Sequence, residues 1–253
     1  MAGTSIPPTI LVQNTPTETS TPEPTVKSDD FPPALIQFVS PGSLSQLATP
    51  IRVIASLKPG DGNLVSLQLF GENERTIHDS NLKMKNTESG WVNLDKEIEF
   101  EINAAGEEAM LVLTTRDEFD RRIAQSAIPV FLIQLGKSDI EPIKFTQQPF
   151  VITSPQANAS VKGGVLTVNG FAHSFNTNPL IIELLTESGG VMNNAQTVRM
   201  PRNAQDQTYV PFSVDIPYDV DLATPVRLTI RQRSTQLPNI DIALSSQLIT
   251  LLP

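Results

Sequence analysis

The chain has no cysteine, two histidines, one tryptophan and two tyrosines. Without cysteine there is no disulfide framework, no thiolate metal site and no cysteine nucleophile. His78 and His173 stand alone, neither with a second histidine at ligand spacing, so no histidine metal site or acid–base pair is written into the sequence. His78-Asp79-Ser80 holds the residue types of a catalytic triad, but consecutive residues cannot take up triad geometry. Positive charge is scarce too, with 18 Lys+Arg against 27 Asp+Glu and a net charge of −9. A phosphate backbone needs a cationic footprint, so no nucleic-acid partner is expected. Long apolar runs are also missing. The longest, Ala127–Ile133, falls far short of the roughly 20 residues that span a bilayer, so no transmembrane segment is expected in this chain.

What is present divides the chain unevenly. Residues 1–33 include TPTETSTPEPTVKSDDFPP and hold 7 of the 21 prolines, too little apolar surface to offset ordering entropy. This predicts a disordered Thr/Pro-rich spacer, semi-stiff because proline and β-branched threonine favour extended backbone. Met1-Ala2-Gly3 runs directly into this polar tail, so any membrane tether is expected upstream of residue 1.

Beyond the tail the apolar residues recur every second position. Ile51, Val53 and Ala55 alternate, as do Val65, Leu67 and Leu69, and Ile98, Phe100 and Ile102 against Glu97, Glu99 and Glu101. Leu166 and Val168, Leu180–Leu184, Phe212–Ile216 and Val226–Ile230 repeat the habit. Such alternation places one apolar face inward on short strands, and the turn clusters PGDGN (59–63), FNTNP (175–179) and TESGG (186–190) separate them. The helix signal is weak. Asp117–Ala127, with Phe119 and Ile123 on one face, is the best candidate for a turn or two, against a polar loop before the last strand.

Shifted by 115 residues, the first half overlays the second. Ile51 and Val53 meet Leu166 and Val168, Val65–Leu69 meet Leu180–Leu184, and Leu111, Leu113 and Arg116 meet Val226, Leu228 and Arg231. Ser40-Pro41 and Ser154-Pro155 match at a shift of 114, as do Ile98–Ile102 and Phe212–Ile216. The repeat predicts an all-β protein of two tandem β-sandwiches at 34–137 and 150–253, joined by a linker at 138–149. Proline cannot donate to a ladder, so each Ser-Pro ends the first strand of its sandwich. Gly163-Gly164 then supplies the freedom for re-entry in the second copy, and Thr49-Pro50 restricts the chain into it in the first.

The second half reads as a strand, Ser154-Pro155, a short loop, a strand ending Val168-Asn169-Gly170-Phe171-Ala172, a nearby Phe175, and a strand Leu180–Leu185 leading to a Gly turn. This resembles the bacterial immunoglobulin-like domain associated with spore-germination proteins. The first half matches in its Ser-Pro and strand spacing, with Ala55-Ser56 where the Gly-Phe-Ala would stand. The resemblance implies an immunoglobulin-like fold, no catalytic residues, and a place on secreted or lipid-anchored bacterial proteins.

The expectation is therefore a non-catalytic binding or spacer module outside the bacterial cytoplasm, part of a lipoprotein or secreted protein, with no cofactor and no metal. Its partner would be a protein or a cell-surface polymer. Four residues are the candidate contacts: Trp91 and Tyr209, at similar places in the two copies, and Arg116 and Arg231, each near a loop acid, Asp120 or Asp241. The alternatives are a carbohydrate-binding module using Trp91 and Tyr209 as a flat aromatic platform, or accessory domains of a larger assembly. Each aromatic could instead be a buried anchor and each arginine a loop brace. Asp117-Glu118 with Asp120, and Asp215 with Asp219 and Asp221, could offer oxygens to calcium, without EF-hand spacing. In the linker, Ile140, Ile143 and Phe145 are expected to dock against both halves.

Overall fold

The computed structural model describes residues 31–85, 87–201 and 208–253. The first half builds eight strands: β1 (Ile36–Ser40), β2 (Gln46–Ala48), β3 (Ile51–Leu57), β4 (Leu64–Phe70), β5 (Thr76–Lys83), β6 (Val92–Ile98), β7 (Gly106–Arg116) and β8 (Arg122–Ile133). The second builds β9 (Phe150–Ser154), β10 (Ser160–Val161), β11 (Val165–Ala172), β12 (Leu180–Leu185), β13 (Val191–Val198), β14 (Val210–Pro217), β15 (Thr224–Arg233) and β16 (Asp241–Leu251).

The two sets are wired alike. A three-stranded sheet, β1-β3-β6 or β9-β11-β14, faces a larger one in which β5-β4-β7-β8 or β13-β12-β15-β16 pair in that order. A short strand runs parallel to the last strand of each set, β2 on β8 and β10 on β16. Each half is thus a Greek-key, immunoglobulin-like sandwich. Each has its own apolar filling, one drawn from Ile36 to Leu132 and the other from Phe150 to Leu251.

The repeated Ser-Pro marks where the chain leaves one sheet for the other. β1 ends at Ser40 and β9 at Ser154, and the proline that follows is cis in both copies. Three residues past each proline, Leu44 and Asn158 take up positive φ. Their amides donate to the last strand of their own half, Leu44 to Pro129 O and Asn158 to Leu248 O, both at 2.7 Å. Gly163 and Gly164 carry φ of 103° and 75° at the re-entry into β11, where a side chain would be strained. Gly170 and Ala55 occupy one station of the repeat, and both are small. A Cβ on Gly170 would collide with the Val151 carbonyl and the Phe212 ring.

Register revises the overlay in its later part. The offset of 115 holds for β3 on β11 and β4 on β12. Leu67 faces Leu113 while Ile182 faces Ile230, so Leu113 overlays Ile230 at 117 and Arg116 overlays Arg233, not Arg231. The strand read at 98–102 lies at 92–98. It overlays β14 at 118, with Ile51 facing Ile98 as Leu166 faces Ile216. Phe100 and Ile102 are buried, but in the connection after the strand. The helix expected at Asp117–Ala127 is a β-hairpin. Asp117 Oδ1 accepts from the amides of Phe119 (3.1 Å) and Arg121 (2.9 Å), and β8 starts at Arg122. The aspartate closes a tight turn before a helix could start.

The two large half-sheets are one sheet. β8 pairs antiparallel with β16, Ala124 facing Ser245, Gln125 facing Leu244 and Ser126 facing Ala243, which gives a ten-stranded sheet. Ser126 and Ser245 hold the same station, since each faces the matching residue of its own neighbouring strand, Leu113 or Ile230. The seam pairs therefore exchange when the copies are exchanged, and a pseudo-two-fold axis passes through Gln125–Leu244. The segments leading into the two sandwiches cross the same axis, with Pro33 bridging antiparallel to Gln147. Ala34 N donates to Thr146 O at 2.9 Å and Gln148 N to Pro32 O at 2.8 Å.

Residues 1–30 of the expected spacer lie outside the described residues. Residues 31–33, read with that spacer, are held by these bonds and by Phe31. The linker is tied down as well. Asp139 exchanges backbone bonds with Gln46, Glu141 O accepts from Gly42 N, and Ser45 Oγ accepts from Glu141 N. Ile143 packs on the first core and Phe145 against the second half, whereas Ile140, expected to dock, is 50% exposed.

Candidate interaction site

The outer faces of a sandwich's sheets normally meet water. Here the strands next to the seam are buried on both faces, because the loop that ends each half folds across the sheet of the other. Leu237, in the β15–β16 loop, covers Met110, Val112 and Ala127 of β7 and β8, with Phe70 and Ile240 beside it. On the same outer face of the second half the β7–β8 turn lies over β15. Asp117 Oδ2 accepts from Arg121 Nε at 2.8 Å and from Arg227 Nε at 2.9 Å. The three side chains are 5%, 3% and 6% exposed. Burial alone would raise the Asp117 carboxyl. The Arg121 amide, the Arg121 guanidinium and Arg227 outweigh it and hold that carboxyl below its ordinary range. One clasp is greasy and the other ionic, at corresponding places about the axis.

A second ionic cluster lies along the seam. Arg231 donates to Glu183 at 2.9 Å and to Asp241 at 3.0 Å, and Asp241 also meets Arg122 of the first half at 2.7 Å. Gln125 Nε2 donates to the Asp241 carbonyl, and Ser246 Oγ donates to Ile123 O at 2.8 Å. Every buried charge here has a partner, as burial requires.

The four candidate contacts separate on this scaffold. Arg231, with its side chain 12% exposed, belongs to the seam cluster. The loop-brace reading also describes Arg116, whose guanidinium donates to Asp120 O at 2.7 Å across its own turn. Trp91 and Tyr209 do sit at equivalent stations, each directly before the β6 or β14 strand. Their surroundings differ. Tyr209 is 2% exposed, and its hydroxyl donates to Gln148 O at 2.7 Å. Burial pushes that phenol far up. An exposed platform of two rings therefore does not form, because Tyr209 is a buried anchor.

The Tyr209 cluster is built from both leaders. Phe31 lies 3.9 Å from the Tyr209 ring and 5.4 Å from Phe171, centroid to centroid. Phe145 stacks on His173 at 4.2 Å and approaches Tyr209 at 6.3 Å. His173 is 5% exposed and its Nδ1 has no partner among the described residues. Burial, against the raising effect of the Thr208 backbone, lowers its pKa to about 4. The ring is therefore neutral at physiological pH. Beside it, a cleft of about 250 Å³ between the halves is lined by Phe38, Ile128, Ile143, Phe145 and Phe175.

Trp91 is half-buried with the Lys58 ammonium 5.4 Å over its ring. His78 and Ser80 share one side of β5, with a His78 ring nitrogen and Ser80 Oγ 2.9 Å apart. Asp79, between them, points the other way, as strand periodicity demands. Of the calcium candidates, Asp117 is taken up by two guanidiniums and Asp215 accepts from Thr167 Oγ1 at 2.6 Å. Among the described residues, no three histidine or acidic side chains come together as metal ligands. Alternation pointed to none of the seam residues, because Met110, Val112, Arg227 and Thr229 sit on the face assigned to water.

No family model matches the chain and no curated protein matches it. Among solved structures, a chimeric titin Z1Z2 is 11% identical over 87% of this chain and 97% of its own, with a TM-score of 0.22. Dpr2 Ig1-Ig2, solved in complex with DIP-Theta Ig1-Ig3, gives 11%, 87%, 99% and 0.22. Red sea bream transglutaminase gives 10% identity over 86% of this chain and 31% of its own, at 0.30. The immunoglobulin-like fold stands on strand order and register. The narrower spore-germination family finds no match.

Proposed function

We propose that the chain is a non-catalytic module that presents a binding surface at fixed geometry outside a bacterial cell. One observation carries this: a single sheet runs through both halves, with reciprocal loop clasps on its outer face. Two sandwiches on a flexible joint would hold a partner at variable distance, whereas a shared sheet makes them one body. The Thr/Pro-rich composition of residues 1–33 supports display on a spacer, and the resemblance of the second half supports an extracytoplasmic setting.

The chain has no thiol, so two introduced cysteines would be the only labelling sites. Spin labels at Asp79→Cys and Leu222→Cys, both exposed and one in each half, should give one narrow distance distribution that added denaturant broadens only at global unfolding. A broad or bimodal distribution in native buffer would overturn rigid presentation. Protease treatment of intact bacteria should cleave the chain, and protection until lysis would overturn surface display.

A further inference from the structure

The two copies differ at one equivalent place. In each, the residue after the third core strand donates its amide to the leader of its own sandwich, Lys58 N to Leu35 O at 2.9 Å and His173 N to Pro149 O at 2.8 Å. Lys58 is thus the counterpart of His173, Trp91 of Tyr209, and Phe31 of Phe145. In the second half, Phe145 lies on His173 and beside Tyr209. In the first half the ring that would do the same, Phe31, has crossed to Tyr209 and Phe171. Both leader phenylalanines serve one platform, and the Trp91–Lys58 platform receives neither.

We infer that Trp91 and Lys58 form a docking site for an extended segment of a partner protein that carries a phenylalanine next to acidic residues. The second copy supplies the template: an extended, proline-containing leader lays a phenyl ring against the equivalent pair of side chains. The chemical change from His173 to Lys58 sets the charge. A neutral buried ring has become an ammonium with no carboxylate partner among the described residues, and it lies over the Trp91 face. A phenylalanine stacked there with a carboxylate beside it would satisfy both groups. This inference rests on the proposed binding role and names the surface that performs it.

The only tryptophan in the chain lies at the site, so its fluorescence reports occupancy directly. The probe is a synthetic peptide of residues 28–35, SDDFPPAL, which carries the ring that the first half lacks behind two carboxylates. Titration into the full chain should give a saturable change in Trp91 emission. A peptide with the phenylalanine replaced by alanine should bind about tenfold more weakly, and so should the parent peptide on Lys58→Glu. Tyr209→Phe, which leaves the Trp91 surface alone, should bind as the parent does. No saturable change, an unchanged affinity for the alanine peptide or for Lys58→Glu, or a response to oligosaccharides in place of the peptide would each overturn the assignment. The spin-label distance is read without peptide, so its failure would count against rigid presentation and not against this site.

Discussion

Asp117→Asn changes one oxygen to an amide group at the ionic clasp. The asparagine keeps an acceptor for the amides of Phe119 and Arg121, so the turn retains its local bonds. What disappears is the charge that faces two guanidiniums, 3% and 6% exposed. Leaving buried charge uncompensated costs about 3–5 kcal/mol. In a chain of this length that lowers Tm by very roughly 6–20 °C. Arg121 belongs to the same turn and Arg227 to the other half, so a double-mutant cycle separates local from joint effects. Asp117→Asn combined with Arg227→Met should show a coupling above about 0.5 kcal/mol in urea unfolding, because Asp117→Asn strands two guanidiniums and the double variant only that of Arg121. The pH dependence has a definite sign. The folded-state carboxyl lies below its ordinary 3.8, so its contribution is complete above about pH 4 and is lost as pH falls through the lowered value. A loss below about 0.5 kcal/mol for Asp117→Asn, or additive costs in the cycle, would refute the clasp.

Three further outcomes follow from other parts of the structure. His173 titrates near 4 in the folded chain against 6.5 ordinarily, so the stability its neutrality confers is complete above pH 6.5. It is lost as pH falls toward 4, by up to about 3 kcal/mol, and His173→Phe should remove this part of the pH dependence in thermal unfolding. Leu237→Ala should cost about 2–3 kcal/mol in urea unfolding, and less than that in a Met110→Ala background, since both truncations open the same contact. Gly170→Ala should cost about 1–3 kcal/mol, because the Val151 carbonyl that its Cβ would meet is backbone within the sheet.

The interiors of the two sandwiches were legible because they obey one rule: alternate residues face the core of their own half. Val53, Leu67, Val168 and Ile182 all do, at 0% exposure. The joint was not legible because it breaks that rule. Arg227 and Thr229 occupy positions that in a lone sandwich would be wet, and only the turn arriving from the other half makes them interior. Met110, Val112 and Ala127 are buried against alternation in β7 and β8 for the same reason. The hairpin at Asp117 looked helical because Phe119 and Ile123 are four apart, a spacing that a turn followed by a strand also produces. Tyr209 and Trp91 were correctly paired by position. Which one stays open was invisible, because Phe31 crosses the axis to reach Tyr209.

Hydrogen exchange at the seam tests the shared sheet most directly. The seam-facing backbone amides within 124–126 and 243–245 should exchange as slowly as those in the middle of β7 and β15, released only by global unfolding. Rapid native-state exchange at those positions, with β7 and β15 still protected, would mean that the halves part from each other, and would contradict the single ten-stranded body.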